Sequence, residues 1–322
     1  MSLDRLMEKI VETQNPTVVG LDPKLDYVPE YIKNEAFSED GYTLKAAGKA
    51  LFRFNKGIID AICDIVPAIK PQAAYYEMYG YYGVKALAKT IEYAKSKGIY
   101  VITDGKRNDI GATMEAYTNA HLGTVKVGDR VLEPFGADAL TVNGYLGSDG
   151  IEPLLHITAL DEFEPLLEAC RIYDKGIFVL VKTSNKSSGE LQDRLIDGKP
   201  VYEIMGEMCE KWGETAPGAY GYTSVGAVVG ATYPEQIAEL RKKLPHTFFL
   251  IPGYGAQGAT AKDIAAAFDA NGLGGIVNSS RGIMTAYKKE GCDEHDFAGA
   301  AFREALRMRD EIMGFVGKIQ LP

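Results

Sequence analysis

Residues 99–109 read IYVITDGKRND, a five-residue apolar run that turns abruptly to charge at Asp104, Lys106, Arg107 and Asp109. An apolar run this short, without polar alternation, suits a strand buried on both faces, as in a parallel sheet covered by helices. Seven further runs share this character, at 17–21, 65–69, 137–142, 176–181, 225–229, 247–251 and 274–278. Between them, stretches at 44–63, 80–97, 234–243, 261–269 and 297–313 carry apolar residues three and four apart, the spacing of helices that rest one face on a core.

Eight strands alternating with helices predict an α/β fold of the (β/α)8 TIM-barrel type. A doubly wound open sheet is the other arrangement such alternation permits. No repeat or low-complexity linker divides the 322 residues, so one domain over 1–322 is expected. Two connections are longer than a barrel needs, 25–43 and 185–224, the second with a helical core around 202–212. Both come after strands, on the side where barrel enzymes carry lids and binding loops. The N-terminal MSLDRLMEKIVETQNP reads as an amphipathic helix, not a signal peptide.

At 46% hydrophobic residues the chain can bury a large core, and no apolar run is long enough to span a bilayer. A net charge of −9 argues against general nucleic-acid binding and requires any anionic ligand to find a locally positive pocket. Cys63, Cys170, Cys209 and Cys292 are scattered without CxxC spacing and read as free thiols, which suits a reducing cytoplasm. His121, His156, His246 and His295 do not cluster, so no metal site is expected. Asp293-Glu294-His295-Asp296 precedes the last helix and reads as N-terminal capping by solvated acids. The tyrosines of 75–82 read as helix and dimer packing rather than base stacking.

The chemistry lies at the ends of the apolar runs. Asp22-Pro-Lys24, Lys70-Pro-Gln72, Asp104-Gly-Lys106-Arg-Asn-Asp109, Asn143 and Lys182-Thr-Ser184-Asn185 end the first five. Gly230-Ala-Thr232, the glycine-rich 252–258 with Gln257, and Ser279-Ser280-Arg281-Gly282 end the rest. In a barrel all of these converge on the C-terminal face, where active sites form. Asp104 and Lys106 are two apart and share a side of their strand, and Lys70 ends a neighbouring one. With Asp109 they form the ingredients of an alternating Asp/Lys array. Such an array either ties the barrel mouth together by ion pairs or acts on a ligand. A carboxylate beside a bound carboxylate raises the ligand's ground-state energy, and an ammonium stabilises a developing carbanion and can protonate it. The last two loops suit a phosphate, held by backbone N–H groups, Gln257 and Arg281.

The run from Asp104 through Asp109, Ile110 and Thr113 resembles the D-x-K-x-x-D-I-x-x-T signature of the orotidine 5′-phosphate decarboxylases. KPQAAYYE at 70–77, TVNGYLGSDG and KTSN make it most similar to the longer bacterial branch of that family. The resemblance implies a cofactor-free carboxy-lyase of pyrimidine biosynthesis that converts orotidine monophosphate to UMP and CO2. It implies a cytoplasmic homodimer with shared active sites, acting on a small nucleotide, with no nucleic-acid or membrane partner. By the same resemblance Lys106 protonates pyrimidine C6, Asp104 sits beside the substrate carboxylate, and Lys70 holds Asp104 and touches the ribose. Asp22 binds a ribose hydroxyl, and Asp109 reaches the partner subunit's site with Ile110 and Thr113 nearby. Ser184 meets the pyrimidine, Gln257, Ser280 and Arg281 hold the phosphate, and Asn143 lines the pocket. The sequence departs from shorter members at Asn185-Lys-Ser-Ser, where a Pro-Gly step is usual, and in the long 185–224 connection. Two other readings remain open: a magnesium-dependent sugar-phosphate decarboxylase or aldolase, and a non-catalytic barrel that senses a phosphorylated ligand.

Overall fold

A computed structural model describes residues 2–155, 175–255 and 258–322. Its centre is a closed parallel barrel of eight strands in chain order. They are β1 (Thr17–Leu21), β2 (Ala68–Pro71), β3 (Tyr100–Arg107), β4 (Ala139–Val142), β5 (Gly176–Lys182), β6 (Val225–Val229), β7 (Phe249–Ile251) and β8 (Gly275–Ser279). β8 closes on β1 with Thr17 opposite Val277. The open sheet is therefore excluded. Each strand falls within or beside an apolar run, and the departures have local causes. Pro67 has no N–H, and Ile65 and Val66 donate back to Ile62 in a turn, so β2 starts at Ala68 and takes Lys70 into the strand. The helix expected over 261–269 is shorter, Ala261–Ile264 followed by a 3-10 turn.

The side-chain period of two sorts each strand. Val19, Ile69, Val101, Leu140, Val179, Ala227, Phe249 and Val277 point outward to the helices. Val18, Ala68, Tyr100, Ile102, Ala139, Phe178, Val228, Leu250 and Ile276 fill the barrel. Helix α1 (Ser2–Thr13) adds Leu3, Leu6, Met7 and Ile10 to this inner cluster. Their spacing of three and four makes one apolar stripe, which plugs the N-terminal end of the barrel. Burying each such side chain stabilises the fold by roughly 1.5–3 kcal/mol. Outside, α2 (Glu30–Asp40), α3 (Leu44–Ile62), α4 (Gly80–Ser96), α5 (Gly111–His121), α6 (Val201–Gly213), α7 (Pro234–Lys243) and α8 (Phe297–Val316) surround the strands. The last closes against α3, where Phe297 packs on Phe54 with ring centres 5.2 Å apart. A Cβ at Gly57 would lie 2.4 Å from the Phe297 ring, so this approach needs glycine. Among the described residues no helix is long and apolar enough to cross a membrane.

The run 293–296 is structural in a way its sequence did not indicate. Asp293 caps its own short turn, while the Glu294 carboxylate accepts from the backbone N–H groups of Glu30 and Tyr31 and so caps α2. His295 stacks on Tyr31 at 4.1 Å.

Candidate active site

Two residues beyond the apolar layer, the inward positions become polar. β1 presents Asp22, β2 Lys70, β3 Asp104 and Lys106, β4 Thr141, β5 Lys182, and β8 Asn278 and Ser280. Asp104 is the hub. Its Oδ2 accepts from Lys70 Nζ at 2.6 Å, and its Oδ1 accepts from Lys106 Nζ at 2.6 Å and from Thr141 Oγ1 at 2.8 Å. Lys70 and Asp104 are buried, whereas the Lys106 side chain is 45% exposed and reaches into the mouth.

Burial alone would raise the Asp104 pKa. The charges and hydrogen bonds of Lys70 and Lys106 outweigh it and hold the carboxyl well below the usual carboxylate range. Burial likewise works against the Lys70 charge, but Asp104 and then Asp22 hold its pKa above the ordinary value. The site thus keeps one permanent carboxylate between two ammonium groups. Asp22 behaves oppositely: burial raises its pKa, with Lys70 and Ser280 opposing only in part. Its Oδ1 is buried with no hydrogen-bond partner among the described residues, as is Asn278 Oδ1. Gly20 makes room for this corner, since a Cβ there would lie 1.9 Å from Ser280 Oγ.

Lys106 owes its position to an irregular strand. Thr103 pairs with Leu140 and Arg107 with Val142, so β3 spends extra residues in a bulge against β4. Within it Lys106 has φ +49°, a left-handed conformation costing a non-glycine residue on the order of 1–2 kcal/mol. Thr141 holds it there: its Oγ1 accepts the Lys106 backbone N–H at 3.0 Å while donating to Asp104. Thr141 was not among the residues singled out from sequence. Its signal is its parity, two residues before Asn143 and inward on β4.

The remaining candidates lie outside this cluster. Asp109 is half-buried beyond the bulge and accepts from the N–H of Ile110 at 2.8 Å. Ile110 is 51% exposed, and Thr113 is exposed on the first turn of α5. Asn143 is exposed and accepts from the N–H of Tyr145. Ser184 is half-buried after β5, where its carbonyl accepts from Thr232 Oγ1 at 3.3 Å. Arg281 is exposed at the start of the short helix Arg281–Met284, and its guanidinium forms no ion pair among the described residues. Gln257 lies outside the described residues. Gly253, Gly255 and Gly258, with φ of 102°, 68° and 92°, give the loop around it a backbone that only glycine takes easily. His121 belongs to packing: burial and then Arg107 lower its pKa to about 4, and it stacks on Phe135.

A (β/α)8 barrel with a Lys–Asp–Lys hub around a buried carboxylate at its C-terminal mouth, and cationic and glycine-rich loops after β7 and β8, has the build of a barrel enzyme that works with fixed charges. The comparisons with known proteins make this specific. Residues 50–291 match the model of the orotidine 5′-phosphate decarboxylase / HUMPS family, and the chain belongs to that family. It is 43% identical over 314 residues to an orotidine 5′-phosphate decarboxylase of Rhodopirellula baltica, covering 96% of this chain and 98% of that one. It is 41% identical to one of Caldicellulosiruptor bescii over 309 residues, 96% of this chain and 97% of that one. Among solved structures, the OMP decarboxylase of Leishmania donovani superposes with a TM-score of 0.73 at 29% identity, covering 98% of this chain and 99% of that one.

Proposed function

We propose that this protein decarboxylates orotidine 5′-monophosphate to UMP and CO2, as its relatives are named for doing, and so serves pyrimidine biosynthesis. The observation that carries the chemistry is the Asp104 carboxylate fixed between Lys70 and Lys106, with Lys106 alone of the three reaching into the mouth. With substrate bound, its carboxylate lies against Asp104, and the repulsion destabilises the ground state. The C6–carboxylate bond breaks, CO2 leaves, and the electron pair stays on C6. Lys106 stabilises that carbanion and transfers a proton from Nζ to C6, giving UMP and a neutral amine that water reprotonates. Because the amine is already hydrogen-bonded to Asp104, little reorganisation accompanies the step.

In this reading Asp22 takes a ribose hydroxyl on its unpartnered Oδ1. Ser184 and Asn143 line the base side, and Ser280, Arg281 and Gln257 hold the phosphate. Residues 1–322 act as one domain, working as a homodimer in the cytoplasm. Asp109, Ile110 and Thr113 follow the bulge, with Ile110 and Thr113 exposed, and exposed Met78, Tyr81, Tyr145 and Leu146 offer apolar surface for a second copy. Asp109 then completes the partner's site. Two ammonium groups flanking Asp104 repel a cation, so the proposed reaction uses no metal.

An ultraviolet assay following loss of orotidine monophosphate, run with excess EDTA, tests the whole reading. The expected result is undiminished turnover. Activity lost to EDTA and restored by magnesium would favour a sugar-phosphate enzyme of the same family.

A further inference from the structure

Lys182 is the third lysine at an inward strand end, and its side chain is completely buried. A fully buried ammonium requires a partner. Lys182 finds it not at Asp104 but above the barrel, donating to Asp193 Oδ1 at 2.6 Å. Its Nζ also lies 4.6 Å from the ring centre of Tyr233, after β6, and 5.6 Å from that of Tyr202 on α6. One charge therefore joins three segments: the connection after β5, the connection after β6, and helix α6 between them.

The neighbouring contacts tighten the same joint. Gln192 Oε1 accepts the Thr183 N–H at 3.0 Å, and Gln192 Nε2 donates to Thr183 Oγ1 at 2.8 Å. Thr183 Oγ1 in turn donates to Asn185 at 2.6 Å. Gly230 donates its N–H to the Lys182 carbonyl at 2.7 Å, and a Cβ on Gly230 would lie 2.8 Å from the Ser184 backbone. Ser184 is thus clamped between the β6 end and the folded-back 185–200 segment, and Lys182 is the fully buried charge of the clamp.

We propose that Lys182 is a positioning residue that, through Asp193, locks the connection after β5 against the end of β6 and sets Ser184 for contact with the nucleobase. This rests on the functional reading above for the role of Ser184. The ion pair is asymmetric, since Asp193 is 44% exposed and can be hydrated alone while Lys182 cannot. Lys182→Met, which fills the slot without charge, should therefore fold, and Asp193→Asn should perturb the joint at least as much.

The test is a double-mutant cycle between Lys182→Met and Ser184→Ala, read as Kd for UMP by calorimetry and as KM and kcat for orotidine monophosphate. In the otherwise wild-type protein Lys182→Met should raise Kd and KM roughly tenfold with a smaller change in kcat, and in the Ser184→Ala background less than about twofold. Asp193→Asn should show the same coupling and serves if Lys182→Met is insoluble. Equal factors in both backgrounds, or an unchanged Kd beside a lowered Tm, would overturn the proposal by reducing Lys182 to a stability role. If the wild-type protein binds UMP yet leaves orotidine monophosphate intact, the functional reading fails, while the UMP cycle still decides the place of Lys182.

Discussion

Asp138, ahead of β4 at the lower end of the barrel, is fully buried, accepts from the Val101 N–H at 2.8 Å and pairs with Arg5 of α1 at 2.9 Å. Asp104, at the upper end of β3, is nearly as buried and pairs with two lysines. The partners differ in what lies behind them. Arg5 ties Asp138 to a helix whose Leu3, Leu6, Met7 and Ile10 seal the barrel, so that charge closes a seam. Beside Asp104, by contrast, Asp22 Oδ1 and Asn278 Oδ1 are buried without hydrogen-bond partners among the described residues. Burial of a charge does not distinguish a site from a brace. At the Asp104 end, the unpartnered oxygens of Asp22 and Asn278 beside the charge leave hydrogen-bonding capacity for a ligand.

The sharpest way to break this contrast is to remove one cation at each end. Lys106→Ala should lower turnover by on the order of a thousandfold or more while UMP binding persists, because the proton donor is lost from a site that otherwise stands. Arg5→Ala should leave kcat unchanged and lower stability by roughly 1–3 kcal/mol, since it takes the ion pair with Arg5 from a buried carboxylate. Kinetics and chemical denaturation on both variants check the pair. Turnover surviving in Lys106→Ala would erase the distinction.

A smaller effect is expected farther from the bond that breaks. Arg281 is exposed and unpaired among the described residues, a cation without a structural task. Arg281→Ala should weaken kcat/KM for the nucleotide by on the order of 2–4 kcal/mol, the range of a charge-assisted contact realised in the transition state. Orotidine lacking the phosphate should react with both proteins about equally. An equal slowing of both substrates would detach Arg281 from the phosphate.

The fold was legible because its strands are apolar on both faces and because the change from apolar to charged marks each upper strand end. The same parity rule placed Asp104 and Lys106 on one side. It could not reveal the bulge that turns Lys106 to φ +49°, because the bulge depends on Thr141 across the strand pair. Nor did the spacing show that Asp109, only five residues after Asp104, falls beyond that bulge. Lys182 was visible as a strand-end lysine, but its burial arises from residues 11, 20 and 51 positions away, at Asp193, Tyr202 and Tyr233. The plug formed by α1 was legible as an amphipathic helix and silent about where its stripe would go.

The smallest effect should also carry the opposite sign. Burial holds the Asp22 pKa above its ordinary value in the folded protein, with Lys70 compensating only in part. A carboxyl whose folded pKa is raised favours folding when protonated, so above the unfolded-state carboxylate range its ionised form costs the free protein stability. Asp22→Asn keeps the shape and removes that cost. The variant should be more stable than wild type at neutral pH, by about 1 kcal/mol or a few degrees in Tm. The gain should shrink as pH falls through the carboxylate range, where wild-type Asp22 becomes protonated too. The same change should weaken UMP binding about tenfold, because an amide is a poorer acceptor for a ribose hydroxyl than a carboxylate. Thermal melts across that pH range, with and without UMP, separate the two effects. A variant that is less stable than wild type at neutral pH would place Asp22 with Asp138, as a brace, and the unpartnered oxygen at the mouth would lose its meaning as a mark of the site.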